Sequence, residues 1–361
     1  MENLPTPALV VDGAVLRANI ERLAAYARGH RLRVRPHTKT HKSVFIASLQ
    51  VGAGASGLTA AKAGEAEIMA TVCEDILVAY PPVDPERCAR IATLATHRTV
   101  RVALDSITAA QRMAQAAAAA QSRVGVLVDV DVGMGRTGVQ TPEEALRLAE
   151  VIDRDPSLHL DGIMYYPGHV WSPPEEQHEA LQKVATKLEE VIRFWTKGGL
   201  KADIVSGGST PTAYQSHLVP QTTEIRPGTY VFNDMNTVHG GFCTIEDCAA
   251  RMICTVVSTA IPGQFVIDGG TKTFTSDRCI PRPESGHGYI IEYPEARIFA
   301  LSEEHGQVDA RACSRVPKVG ERVTVIPNHI CPCVNLQDSF WIAEPGNPLR
   351  RITVDARGKL S

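Results

Sequence analysis

Six short segments of this 361-residue chain gather side chains able to do chemistry. Arg35-Pro36-His37-Thr38-Lys39-Thr40-His41-Lys42 is the most basic of them. A lysine desolvated in such a segment has a lowered pKa and becomes a Schiff-base nucleophile; the plainer reading is a solvated basic turn. Asp131-Val132-Gly133-Met134-Gly135-Arg136-Thr137-Gly138 sets a guanidinium among glycines, where it donates to a phenolate or carboxylate or simply closes a surface turn. In Ser206-Gly207-Gly208-Ser209-Thr210-Pro211-Thr212, glycines let backbone N–H groups converge on an anion and the hydroxyls add donors. A flexible turn is the competing reading there. Tyr165-Tyr166-Pro167-Gly168-His169 and Glu224-Ile225-Arg226-Pro227-Gly228-Thr229-Tyr230 hold aromatics that stack on a planar cofactor or fill core. His169 reads as a general acid/base or as a hydrogen-bonded turn residue. The last segment is Asn328-His329-Ile330-Cys331-Pro332-Cys333. In an extended chain, positions i and i+2 share a face, so His329 and Cys331 would grip one ion together. Mixed N/S ligation favours Zn²⁺ over Mg²⁺ or Mn²⁺, and two protein ligands leave open positions for water and substrate. A buried free cysteine beside an unrelated histidine is the alternative.

These segments need elements to hold them, and the first two-thirds of the chain supplies a regular alternation. Eight apolar, β-branched runs appear: 32–35, 57–60, 76–80, 100–104, 124–130, 160–166, 202–206 and 224–230. Between them lie stretches of helical period, such as 143–153 and 178–196, and the Ala-rich 109–121. Strand–helix alternation implies a parallel sheet, and eight units imply a closed (β/α)₈ barrel; a doubly wound open sheet is the alternative. In the barrel the basic segment follows the first strand, and Arg136, Tyr165 and Ser206–Thr212 follow the fifth, sixth and seventh. That is the face where barrels do chemistry, with phosphate commonly held after strands seven and eight. After about Asn233 the texture changes to short alternating runs at 251–261, 264–268, 288–292, 299–303, 322–327 and 338–343, with no convincing helix between them. The expected fold is therefore α/β: a (β/α)₈ barrel over residues 10–240 followed by a β-rich domain over 241–361. Residues 1–9 are expected to pack with the latter.

Composition removes several classes of function. Lys+Arg number 37 against 40 Asp+Glu, a net charge of −3, so neither a nucleic-acid groove nor an anionic membrane surface is expected as partner. No apolar run approaches a membrane span of about 20 residues, and no signal peptide is visible. Nine scattered cysteines read as reduced thiols in a cytoplasmic protein.

Taken in order, the segments resemble the fold-type III pyridoxal phosphate enzymes, in the branch of D-threonine aldolase and D-serine dehydratase. The resemblance also rests on Leu4-Pro5-Thr6-Pro7, Asp268-Gly269-Gly270 and Ser302-Glu303-Glu304-His305-Gly306, so it runs over nearly the whole chain. It implies an alanine-racemase-like barrel plus a β domain, assembled as a homodimer, with pyridoxal 5′-phosphate and a divalent metal as cofactors. It places Lys39, not Lys42, at the Schiff-base position and Arg136 at the cofactor's phenolic oxygen. Thr210, Gly228 and Thr229 fall at the phosphate, Tyr165 beside the cofactor, and Arg226 or Tyr230 towards the pyridine nitrogen. His329 and Cys331 fall on the metal pair. Aldolase members typically carry His-x-Asp with Mn²⁺ or Mg²⁺, whereas the dehydratases carry His-x-Cys with Zn²⁺. Cys331 therefore implies β-elimination from a small D-β-hydroxy amino acid, yielding a 2-oxo acid and ammonia. Retro-aldol cleavage, with His169 as base, is the nearest alternative. A racemase and a noncatalytic pyridoxal phosphate carrier are further ones. Cys333 has no role in this pattern.

Overall fold

The computed structural model describes residues 4–361. It divides into two compact units. Unit two holds Arg22–Lys39, Val44–Gly228 and Gly358–Ser361; unit one holds the chain up to Glu21, Thr40–Ser43 and Thr229–Arg357. The chain thus passes from one unit to the other at Gly228/Thr229 rather than near residue 240, and unit one also takes a tetrapeptide from just after Lys39.

All eight expected strands form in unit two: β1 Arg33–Val34, β2 Leu58–Ala60, β3 Asp75–Val78, β4 Thr99–Leu104, β5 Val124–Val130, β6 Leu158–Tyr165, β7 Ile204–Gly207 and β8 Glu224–Ile225. Every pairing is parallel, in the order β1-β8-β7-β6-β5-β4-β3-β2. A parallel bridge between His37 and Thr59 joins the two ends, so the barrel closes. The last strand is shorter than its apolar run because Pro227 lacks a ladder donor and Gly228 follows it. The intervening helices start where their sequences stop other structure. Asp84 and Ser106 accept from backbone N–H groups three residues on, and Thr141 with Glu144 forms a reciprocal cap ahead of Pro142. The His178–Lys197 helix buries Leu181, Val184, Leu188, Val191 and Trp195, one stripe at three/four spacing.

Residues two apart share a face of a strand, and the barrel interior follows that rule. Leu77, Ala103, Leu127, Met164 and Ile204, from five consecutive strands, make one buried cluster. Two residues earlier on β3 and β4 stand Asp75 and Arg101, members of a charged network. Arg35 bonds Glu224 at 2.9 Å and Asp75 at 2.6 Å, and Arg101 reaches Asp75 at 2.6 Å and Asp161 at 3.0 Å. Arg35 and Glu224 are fully buried, so their pairing is what makes the burial tolerable. Two residues later on β5 stands Asp129, near the end where the candidate segments emerge.

Unit one is built on a mixed nine-stranded sheet. Ala250–Ser258 pairs antiparallel with Arg322–Ile326, with Gln264–Ile267 and with the N-terminal strand Ala8–Asp12, which also runs parallel to Ser339–Ala343. The strands Gly306–Asp309 and Arg350–Thr353 were not expected; each is only four residues long, too short to repeat a period. The expectation of no helix in this region fails at one important place. Ile330–Asn335 is a short helix, so the His329–Cys331 segment is not an extended strand. Pro332 sits in the first turn, where its missing N–H costs nothing.

Candidate active site

In unit two the segment after β1 is fixed by its backbone. His37 N–H donates to the Pro227 carbonyl at 3.0 Å, and Thr38 Oγ1 donates to Glu65 at 2.6 Å and to the Thr59 carbonyl at 3.0 Å. Lys39 lies in the 3-10 turn Thr38–Thr40, with its backbone N–H on His37 Nδ1 at 3.4 Å. Its neighbours Thr38, Thr40 and His41 are buried while its own side chain is exposed. Lys42, the other lysine of the segment, is buried in unit one, where its ammonium donates to the Ala356 carbonyl at 3.4 Å. The structure thus separates a lysine that is engaged from one presented on a rigid turn.

After β5, Asp131 accepts the N–H groups of Gly133, Met134 and Gly135 at 2.9–3.1 Å, shaping the loop that carries Arg136. Burial pushes the Asp131 carboxyl up, but these donors outweigh it and hold the group below the usual carboxylate range. Arg136 is exposed, with its guanidinium 4.9 Å from the centre of the Tyr166 ring. A small cavity lies among Asp129, Met134, Arg136 and Tyr166. Burial raises the Asp129 carboxyl to about 6, against the Thr137 hydroxyl that donates to it at 2.8 Å. His169 is exposed beside the same loop: a Cβ on Gly133 would fall 2.9 Å from its Nε2, and the φ of +126° there suits only glycine.

After β6 and β7 the packing is closer. Tyr165 is buried and its hydroxyl shares a 2.6 Å bond with Thr222; burial drives the phenol up to about 12, so it stays neutral. Its ring occupies the space where a Cβ on Gly207 would stand, at 1.9 Å, which is why the strand must end in glycine. Ser209 and Thr212 close the next turn on each other: Ser209 N–H donates to Thr212 Oγ1 at 3.1 Å and Thr212 N–H to Ser209 Oγ at 3.3 Å. Thr210 sits half-buried between them. Gly228, buried, is the last residue of this part of unit two. Arg226 is wholly buried and donates to the Tyr165 carbonyl at 2.8 Å. Arg226 Nε and Ser206 Oγ are buried with no hydrogen-bond partner among the described residues. Buried orphan donors beside a glycine-hydroxyl turn fit a bound polar, anionic group.

Unit one holds the second cluster. His329 and Cys331 interact directly, although by a different local route from the expected one. His329 is the extended residue preceding the helix, and Cys331 lies in its first turn. Cys331 Sγ lies 3.2 Å from Thr40 Oγ1 and 3.6 Å from Thr229 Oγ1. Burial disfavours a charged His329, but its hydrogen bond and attraction to Cys331, with Asp234 and Asp277, raise it to about 9. Burial likewise opposes the Cys331 thiolate, and His329 and Thr40 override it, so the thiol falls below its ordinary value. Among the described residues no third His, Cys, Asp or Glu completes a three-ligand set with them. An imidazole and a readily ionised thiol suit a soft divalent ion with open positions. Tyr230 is buried in the 3-10 turn Thr229–Val231. Cys333 is buried on other contacts, its thiol 3.1 Å from the His329 carbonyl and 3.2 Å from that of Phe274. Thr40, Asp129 and Asp277 were not singled out from sequence; Thr40 lay inside a chosen segment, and Asp277 lies in a loop without periodicity.

Residues 11–235 match the alanine racemase N-terminal domain, and residues 249–343 match a putative serine dehydratase domain. The chain belongs to the alanine racemase N-terminal domain family. It is 31% identical to D-threo-3-hydroxyaspartate dehydratase of Delftia sp. strain HT23, covering 91% of this chain and 91% of that one. The family fold is shared throughout: D-threonine aldolase from Filomicrobium marinum superposes with a TM-score of 0.91 at 27% identity, over 100% of this chain and 98% of the other. A cysteine-to-alanine mutant of D-threo-3-hydroxyaspartate dehydratase, solved in its metal-free form, superposes with a TM-score of 0.89 at 27% identity over 98% of each chain. With these relatives the chain is an enzyme of the lyase class. No helix among the described residues is long and apolar enough to cross a membrane.

Proposed function

We propose that this chain is a pyridoxal 5′-phosphate- and Zn²⁺-dependent dehydratase. Its substrate would be a D-β-hydroxy amino acid of the D-serine, D-threonine or 3-hydroxy-D-aspartate type, converted to a 2-oxo acid and ammonia. The observation that carries the choice is the donor pair: His329 and Cys331 interact, and the thiol is biased towards thiolate. That set suits Zn²⁺, whereas the oxygen ligands of an aldolase-type site suit Mn²⁺ or Mg²⁺. A dehydratase relative solved as a cysteine-to-alanine mutant in its metal-free form supports a metal-dependent enzyme.

Lys39 would hold the cofactor and, once the substrate amine has displaced it, take the Cα proton on Nζ. The cofactor supplies an electron sink for the pair left at Cα. Arg136 would donate to its phenolic oxygen, and Thr210, Gly228 and Thr229 would receive its phosphate. Tyr165 would stand beside the cofactor, and Arg226, with a free buried donor, or Tyr230 would face the pyridine nitrogen. The ion would supply a Lewis acid for the β-hydroxyl, which would leave as water with the proton that Lys39 Nζ took from Cα. Thr40, the residue after Lys39 in the chain, lies against Cys331.

The second reading, retro-aldol cleavage to glycine and an aldehyde, is favoured by the structural likeness to D-threonine aldolase. His169, exposed beside Gly133, would then take the β-hydroxyl proton. Product analysis separates the two. Incubation with a panel of D-β-hydroxy amino acids and Zn²⁺ or Mn²⁺ should release ammonia and a 2-oxo acid, best with Zn²⁺. Glycine and an aldehyde, best with Mn²⁺, would establish the aldolase instead. A homodimer in the cytoplasm belongs to the same proposal, and light scattering on the purified enzyme checks the dimer.

A further inference from the structure

We propose that Asp277 is the residue that orients His329 towards the metal. The inference rests on the metal reading above. Asp277 Oδ2 lies 2.9 Å from His329 Nδ1. An ionised carboxylate only accepts, so Nδ1 must donate, which fixes the tautomer and leaves the Nε2 lone pair for the ion. Sequence patterns did not find this contact, because it joins positions 52 apart.

The way the loop is held argues for more than a chance surface pair. Thr275, just after the Thr271–Phe274 turn of helix, sits at a φ of +66°, unusual for a β-branched residue. Its Oγ1 accepts the Asp277 N–H at 3.2 Å. The Asp277 carbonyl accepts Asn328 Nδ2 at 3.2 Å, and the same amide donates to the Gly286 carbonyl at 2.8 Å. Asn328 is buried and immediately precedes His329. On the other side of His329, the Cys333 thiol is a single donor placed between the His329 and Phe274 carbonyls. Asn328 and Cys333 thus tie the 274–277 loop to the backbone of the ligand itself. That gives Cys333 a role that its spacing from Cys331 does not suggest.

The test is a Zn²⁺ titration of metal-stripped, cofactor-loaded enzyme against a competing fluorescent chelator, with the cofactor absorbance followed in parallel. Asp277→Ala should raise the Zn²⁺ Kd by about 10–100-fold, the usual effect of losing such a partner. The cofactor absorbance should not change, and Asp277→Glu should recover most of the affinity. An unchanged Kd in Asp277→Ala, while His329→Ala and Cys331→Ala lose Zn²⁺, would overturn the proposal and leave the metal reading intact. Loss in Asp277→Ala as complete as in His329→Ala would overturn it differently, by making Asp277 a ligand. If the unaltered enzyme binds no Zn²⁺, the metal reading fails and the proposal falls with it.

Discussion

Lys39 and Lys42 are three residues apart, and composition treats them alike. Their environments do not. Lys42 spends its ammonium on the Ala356 carbonyl in a buried setting, while Lys39 is held by its backbone and presents its side chain. Replacing Lys39 by Ala should therefore remove the visible absorbance of lysine-bound cofactor from the purified protein, and borohydride should no longer fix the cofactor covalently. A reducible adduct that survives in Lys39→Ala would move the assignment to Lys42. Cys331 and Cys333 are a similar pair: one thiol is pulled down by His329, the other pushed well up by burial. Of the two, Cys331 is the one biased towards the thiolate that binds a cation.

Among the elements, β5 has a testable property of its own. Its last interior position is Asp129, buried and raised to about 6. In the unfolded chain such a group titrates near roughly 3.9. Below that pH both states are protonated, and the neutral carboxyl adds its full share of stability. Between the two values the folded state keeps its proton and the unfolded state has lost it, so stability falls as pH rises. The loss is complete once pH passes about 6, and the two-unit shift corresponds to on the order of 2–3 kcal/mol. Urea unfolding of the cofactor-free protein from pH 4 to 8 should show this slope, and Asp129→Asn should flatten it. An identical slope in the variant would mean that another group titrates there. The loops after β5 and β7 show the opposite economy: Asp131 and the Ser209–Thr212 pair satisfy their own backbones, so each loop arrives already shaped.

At the scale of the molecule, the two clusters belong to different units, and the proposed function gives them different tasks. On the proposed function Lys39, in unit two, would carry the cofactor, and His329 and Cys331, in unit one, would carry the ion. Exhaustive chelation should therefore abolish turnover while leaving the cofactor absorbance in place, and Zn²⁺ should restore activity. Cys331→Asp should keep the absorbance and shift metal preference from Zn²⁺ towards Mn²⁺ or Mg²⁺, as measured by activity and by metal content after dialysis. Loss of absorbance on chelation would show that the two clusters are not separable.

Sequence alone determined the eight barrel strands and the succession of sheet types, because strand and helix periods are local and each run is long enough to repeat them. It also located the basic, glycine-hydroxyl and His-x-Cys segments, since their chemistry is carried by residue type and close spacing. Tertiary structure decided the rest. The His329–Cys331 pair meets at the start of a short helix, where Pro332 allows a first turn that no six-residue pattern announces. The N-terminal strand, expected from sequence only to pack with the second domain, lies inside its sheet, paired with Ala250–Ser258 on one side and Ser339–Ala343 on the other. Asp277, Thr40 and Thr229 reach the His329–Cys331 pair across 52, 291 and 102 positions. Contacts at those separations leave no periodic trace in a single sequence; they exist only once the backbone has brought the segments together.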